Sequence, residues 1–308
     1  MGRASHFRRN FTRMSPEHSA RSVPEGQANG EPAILLVDNG SLEPGAVRAL
    51  RGLAERLGLA VGREVRAVSL LHSSGIAPDL LDGRGAEILE PVLRDLGAEG
   101  REAVVVPLFL GPSGALTEYV PERVRAVRKT WPQLRVRVAP CLVDLARPED
   151  TRIAAMVAER VREAASLAGF ARPAVAVVDH GTPQRAVNAV RELVTVQVRA
   201  LLGGWARAVT GCSMERRAGV EYDFNEPLLE KLLDAPEYAA GEVVVAQLFL
   251  LPGRHAGPGG DVERICEAAR KRNPGMNVVV TEPLGSHPGL VEVLKERVEE
   301  GIGAGEVE

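Results

Sequence analysis

The chain reads as an α/β protein of two tandem Rossmann-like lobes, each a four-stranded parallel sheet flanked by helices, with a cleft between the lobes. Two observations predict this. Short runs that are apolar throughout alternate with segments whose apolar residues recur at helical spacing, the pattern of strands buried on both faces of a parallel sheet. In addition, three landmarks recur in the same order about 140 residues apart. LVDNGS (36–41) pairs with VVDHGT (177–182), so that Asn39 matches His180. VVVPLFLGPSGA (104–115) pairs with VVVAQLFLLPGRH (243–255), which sets Ala115 opposite His255. VRVAPCLVDLA (136–146) pairs with VVVTEPLGSHP (278–288), which sets Leu145 opposite His287. A register held over three motifs marks the duplication of one unit of roughly 130 residues.

Each predicted element has a local reason. In the first half AILLVD is a short β-rich run ended by a Gly turn, and PGAVRALRGLAERLG follows with helical periodicity. REVRAVSLL is a second strand, and AEILEPVLRDLGAEG a helix that stops at Gly. AVVVPLFL, VPERVRAVRKTW and LRVRVAPCL complete the half as strand, helix and strand. The second half repeats the order with AVAVVD, AVNAVRELVTVQVRALL, WARAVTGCSM, NEPLLEKLL, EVVVAQLFL, GDVERICEAARKR, MNVVVTEPL and HPGLVEVLKERVEE. The lobes are expected at 31–148 and 173–301, with 149–172 as a charged helical connector. Residues 1–30 lack apolar periodicity and are rich in Arg, Ser, Pro and Gly. They read as a disordered tail, or alternatively as an organelle transit peptide, which Glu17 and Glu25 count against.

Composition excludes several classes. Over 308 residues, 45% hydrophobic and 26% charged content is that of a soluble globular protein. A net charge of −3 leaves no basic footprint for nucleic acid. The longest apolar runs are about half the length that spans a bilayer, so no membrane partner is expected. Cys141, Cys212 and Cys266 stand singly, which argues against disulfides, a thiolate zinc site or an iron–sulfur cluster and points to a reducing cytoplasm. There is no GxSxG elbow, no Walker lysine after a Gly-rich loop and no GxGxxG opening a helix, so hydrolase, nucleotide-binding and dehydrogenase readings lack their fingerprints.

Ligands in such folds bind beyond the carboxyl ends of the strands. His180, His255 and His287 follow three different strands of the second half and share that edge. His287, before Pro288, alternatively caps the last helix. Two neutral imidazoles with a carboxylate nearby suit a borderline divalent metal such as Co(II), Fe(II), Ni(II) or Zn(II), and imidazoles also take protons near neutral pH. Glu215, in CSMERR, is the candidate carboxylate; Glu226, in FNEPLLE, is a second, or only starts a helix. Aligning TGCSME with AVSLLH sets His72 opposite Glu215, from where His72 enters the cleft or bonds its own turn. Arg254, Arg216, Arg217 and Arg185 fall on loops near this edge, either to pair with carboxylates of an acidic ligand or as solvated charges.

DHGT with His180, LFLLPGRH with His255 and PLGSHP with His287 resemble the motifs of the sirohydrochlorin chelatases of the CbiX/SirB type. The second half matches closely; the first matches in architecture, through LVDNGS and VPLFLG, with the histidines missing. The resemblance implies a class II chelatase that inserts Co(II) or Fe(II), in some relatives Ni(II), into sirohydrochlorin-type tetrapyrroles without ATP, toward cobalamin or sirohaem. It implies two chelatase-fold lobes around the cleft, here in the long, fused form, so that a monomer suffices and a dimer is not required. It assigns metal binding and proton acceptance to His180 and His255 and an acidic role to Glu215. Arg254, Arg216, Asn39 and His72 are then expected on the macrocycle. No permanently bound cofactor is expected; the metal is a substrate. The loop MERRAGVEYDFNEPLLE is longer than in compact members, and HAGPGGDVER carries extra glycines. The rival reading is a carrier of tetrapyrrole or metal that catalyses no insertion.

Overall fold

The computed structural model describes residues 30–307, so the tail read at 1–30 lies, save for Gly30, outside them. The first half runs β1 (Ala33–Asp38), α1 (Pro44–Val61), β2 (Val65–Ser69), β3 (Glu87–Ile88), α2 (Leu89–Ala98), β4 (Ala103–Pro107), α3 (Val120–Arg128) and β5 (Val136–Val138). After α4 (Arg152–Ala168), the second half runs β6 (Ala174–Asp179), α5 (Arg185–Leu202), β7 (Ala208–Ser213), α6 (Leu229–Leu233), β8 (Gly241–Gln247), α7 (Asp261–Arg272), β9 (Met276–Val280) and α8 (Gly289–Gly303).

The two sheets are parallel throughout, in the orders β3-β2-β1-β4-β5 and β7-β6-β8-β9. The second has the expected four strands. The first has five, because Glu87–Ile88 adds a two-residue edge that pairs with Val68 and Ser69 ahead of the expected helix. Two residues alternate too briefly to stand out in a sequence. In the first half β2 and β3 lie on one side of β1 and β4 and β5 on the other, and in the second β7 lies on one side of β6 and β8 and β9 on the other, so the strand order reverses between β1 and β4 and between β6 and β8. That reversal opens a crevice at the carboxyl ends of those strands.

The central strands β1, β4, β6 and β8 are buried on both faces, as their unbroken apolar runs require. α1 buries Val47, Leu50, Leu53, Ala54 and Leu57 at helical spacing and ends at Gly62, whose φ of 68° suits a residue without a Cβ. One apolar cluster covers each sheet's outer side. A third joins the two sheets through residues of α1, α4, α5 and α8.

The helices that follow the last strand of each sheet cross over. α4 packs on β8, β9 and α5, while α8 packs on β4, β5 and α1. At the second crossing Gly301 lies so close to the first sheet that a Cβ there would stand 2.8 Å from both Ala139 Cβ and Val104 Cγ1. Ionic contacts tie the crossing helices: Arg297 of α8 is fully buried and reaches Asp150 just before α4 at 3.6 Å, and Arg152 pairs with both Asp150 and Glu296. The halves therefore share their core. Gly301→Val is expected to destabilise the whole chain by about 1–3 kcal/mol through overpacking. Urea denaturation followed by far-ultraviolet circular dichroism checks this, with a single transition shifted to lower urea as the expected result.

Candidate active site

The duplicated turn after the first strand sets the site's frame. In the second half Gly181 takes φ 94°, and a Cβ there would lie 1.9 Å from the carbonyl oxygen of Glu215. In the first half Gly40 takes φ 91° and would meet the carbonyl of Leu71 at 1.7 Å. Only glycine fits both the dihedral and the approach. The amide of Glu215 donates to the carbonyl of His180 at 3.1 Å, as that of Leu71 does to Asn39 at 3.2 Å. Leu71 rather than His72 is thus the counterpart of Glu215. The alignment of TGCSME with AVSLLH is off by one, because Ser69 and Ser213 hold equivalent places beside Asp38 and Asp179 in the ladders.

His180 and His255 come together with ring centroids 4.7 Å apart, edge to face at 75°. Nδ1 of His180 lies 3.1 Å from the carbonyl oxygen of Gly181 and, donating to it, leaves Nε2 as the free lone pair. That nitrogen is 3.5 Å from Oε1 of Glu215. Nδ1 of His255 lies 2.7 Å from Oδ2 of Asp261, the first residue of α7, whose other oxygen accepts from Arg264 at 2.7 Å. A carboxylate holding one ring nitrogen fixes the tautomer and presents the other to a metal. Asn225, fully buried, accepts from the Thr182 amide at 2.9 Å and donates to its carbonyl at 2.9 Å, which pins the turn carrying His180. Among the described residues no three His, Cys, Asp or Glu side chains form a closed cage for a metal. The imidazole pair is an open site.

Both histidines line a cavity of about 680 Å³ whose other wall comes from the first half, including Asp38, Asn39, Glu43 and His72. Arg254 lies at its edge, 78% exposed. Apolar faces of Leu42, Ala46, Phe249 and Leu251 complete the lining.

Other candidates lie elsewhere. Arg216 is committed to its own loop, with Glu226 at 2.9 Å, Asp223 at 3.2 Å and the carbonyls of Arg217 and Gly219 at 3.1 Å, and it does not line the cavity. Arg185 stacks over Phe224 and Arg217 over Tyr222. Glu226 holds Arg216 and Lys231 and accepts from the amide of Leu228, so it organises the start of α6. His287 is buried, accepts the amide of Gly289 at 3.1 Å through Nδ1 and meets Glu159 at 3.2 Å, which makes it the cap of α8. Cys212 and Cys266 are buried, and burial holds their thiols well above the usual range.

Two features escaped the sequence reading. Asp261 carried a signal, an acidic residue opening a helix six places after His255. The other is the aspartate inside the duplicated turn. Asp179 accepts from Ser213 Oγ at 2.6 Å and the Gly181 amide at 3.1 Å, with the fully buried guanidinium of Arg191 at 3.8 Å. Asp38 keeps the equivalent serine, Ser69, but Leu50 stands where α5 has Arg191, and among the described residues Oδ1 of Asp38 has no hydrogen-bond partner. Burial pushes the Asp38 carboxyl up to about 6, and Ser69 and the Gly40 amide offset only part of that.

Two parallel α/β sheets with paired imidazoles at the cleft beside their switch points form a two-lobed α/β protein. The chain belongs to the CbiX family, whose model matches residues 33–164 and again 174–301. It is similar to the chloroplastic sirohydrochlorin ferrochelatase of Arabidopsis thaliana, 28% identical over 126 residues, which are 41% of this chain. The match spans about half, 51%, of that curated relative's length. The fold is that of SirB from Bacillus subtilis with Fe3+, with a TM-score of 0.67 at 17% identity over 91% of this chain and 100% of that one. SirB from Bacillus subtilis subspecies spizizenii in complex with cobalt matches at 0.64 and 16% identity, with the same coverage.

The Asp38 carboxyl bears on stability. Its folded value lies above the ordinary 3.8, so protonation favours the folded state fully below about 3.8, and that contribution is lost as pH rises through about 6. Asp38→Asn removes the charge that is disfavoured at higher pH. The variant is expected to exceed the wild type by about 1–2 kcal/mol at about pH 8, discounted for the carboxyl's opening onto the cleft. The gain should shrink through about pH 6 and vanish below about 3.8. Urea midpoints measured across that range check it.

Proposed function

We propose that this chain inserts a divalent metal, Co(II) or Fe(II), into sirohydrochlorin or a related tetrapyrrole without ATP, as a step of cobalamin or sirohaem biosynthesis. The observation that carries the reading is the His180–His255 pair, its rings 4.7 Å apart in a cavity walled by both halves of one chain. Membership in the CbiX family supports it, as does likeness to a sirohydrochlorin ferrochelatase.

The residues divide the work. Nε2 of His255, with Nδ1 held by Asp261, and Nε2 of His180 offer two neutral nitrogen ligands to the incoming ion. Glu215, 3.5 Å from His180, supplies negative charge that draws the cation and takes a proton from the imidazole. Two imidazoles hold a borderline metal less tightly than a closed four-ligand cage, which suits an ion that must leave for the macrocycle. Insertion releases two pyrrolic protons, so bases beside the ring raise the rate. The macrocycle rests on the apolar lining, Asn39 and His72 meet it from the first half, and Arg254 pairs with a peripheral carboxylate. The cleft needs no second chain, so a monomer suffices. No described helix is long and apolar enough to cross a membrane.

The test is metalation of sirohydrochlorin by Co(II) and by Fe(II), followed by absorbance, for the wild type, His180→Ala, His255→Ala and Asp261→Asn. The wild type is expected to exceed the spontaneous rate and both alanine variants to fall to it. Asp261→Asn should lose about 10–100-fold, the usual effect of removing a histidine's carboxylate partner. Alanine variants as fast as the wild type would refute the histidine assignment. A wild type that shifts the spectrum of bound tetrapyrrole without turnover would make the chain a carrier.

A further inference from the structure

The duplication provides an internal control for one residue. Both halves end their first strand in a half-buried aspartate beside a serine, Asp38 with Ser69 and Asp179 with Ser213. In the second half the charge is matched: Asp179 has a hydroxyl at 2.6 Å, an amide at 3.1 Å and Arg191 at 3.8 Å. In the first half the position of that arginine in the helix is Leu50, which is 1% exposed, and among the described residues no other cation replaces it in a hydrogen bond to Asp38 Oδ1. A carboxylate left in this state destabilises the fold and is ordinarily replaced or paired. Here it has been kept, and it lines the same cavity as His180 and His255.

We propose that Asp38 is a proton acceptor for the macrocycle, acting from the first-half wall of the cleft. The proposal rests on the chelatase reading and adds to it a role for the half that lacks the histidines. In the step, one pyrrole N–H bond breaks and its proton passes to an Asp38 carboxylate oxygen. The nitrogen lone pair so freed binds the metal arriving from the His180–His255 wall. The second pyrrolic proton is taken on that wall, by an imidazole released from the metal, and nothing is oxidised or reduced. Asp38 then loses its proton to water through the cavity mouth.

The surroundings suit the task. The charged and titratable groups around the cavity are Glu43 and His72 from the first half and His180, Arg254 and His255 from the second. A base works best when its own proton affinity sits near the working pH. Burial places Asp38 at about 6, whereas a solvated aspartate would be too weak a base.

The test uses the full chain, sirohydrochlorin and Co(II). Single-turnover metalation is followed from about pH 5 to about pH 8 for the wild type, Asp38→Asn and Asp38→Glu, and Co(II) affinity is measured separately without macrocycle. The wild-type rate should rise with pH through about 6. Asp38→Asn should be about 100-fold slower above that point and show a shallower rise, the part left to the imidazoles, Asp38→Glu should recover part of the rate, and Co(II) affinity should not change. An Asn variant with the wild-type rate and pH profile overturns the proposal. So does one that loses Co(II) affinity, since the carboxylate would then be a metal ligand. A wild type no faster than the spontaneous reaction overturns the chelatase reading itself, and that failure is recognised because it precedes any substitution.

Discussion

Everything at the site hangs on one backbone contact, made twice. A glycine at positive φ lets the first strand's terminal turn press onto the carbonyl two residues past the end of the neighbouring strand, at Gly181 against Glu215 and at Gly40 against Leu71. The contact fixes residue 180, or 39, at the strand's carboxyl end and brings the turn after the next strand alongside it. In the second half this sets a histidine next to a glutamate, and the turn after β8 adds His255 on the same rim. The parallel sheet supplies the rest, because strand ends on one edge converge on one crevice.

The two halves have spent this common frame differently. The second half matches its half-buried Asp179 with Arg191 and gathers the imidazoles. The first has Asn39, Ala115 and Leu71 at the places of His180, His255 and Glu215, and a leucine where the arginine would be. With that leucine Asp38 is a half-buried carboxylate whose pKa is pushed up to about 6, while the fold around it is held by apolar packing shared across both sheets. The asymmetry of the cleft, with the imidazoles of His180 and His255 on one wall and none at their places on the other, follows from substitutions at a few equivalent positions.

Much of this was legible in the chain. Unbroken apolar strands, helical periodicity and a near-constant repeat offset lead to two parallel sheets, and strand-end histidines lead to one rim. What could not be read was set by geometry across the chain. Whether Arg216 faces the cleft or its own loop depends on where Glu226 and Asp223 sit, and sequence proximity to the rim misplaces it. His72 does reach the cavity, yet through a register one residue away from the one its motif suggests. Asp38 was visible in LVDNGS but mute, since its meaning lies in a leucine twelve residues later that only the matched helices align with Arg191.

In the proposed reaction metal and macrocycle meet between unlike walls, with the ion on the second-half side. Anomalous diffraction from crystals of the protein soaked with Co(II) and sirohydrochlorin locates both. The expected map has cobalt within bonding distance of Nε2 of both His180 and His255, and the macrocycle between that pair and Asn39 and His72. Cobalt seated at His287 and Glu159, or a macrocycle outside the shared cavity, would contradict it.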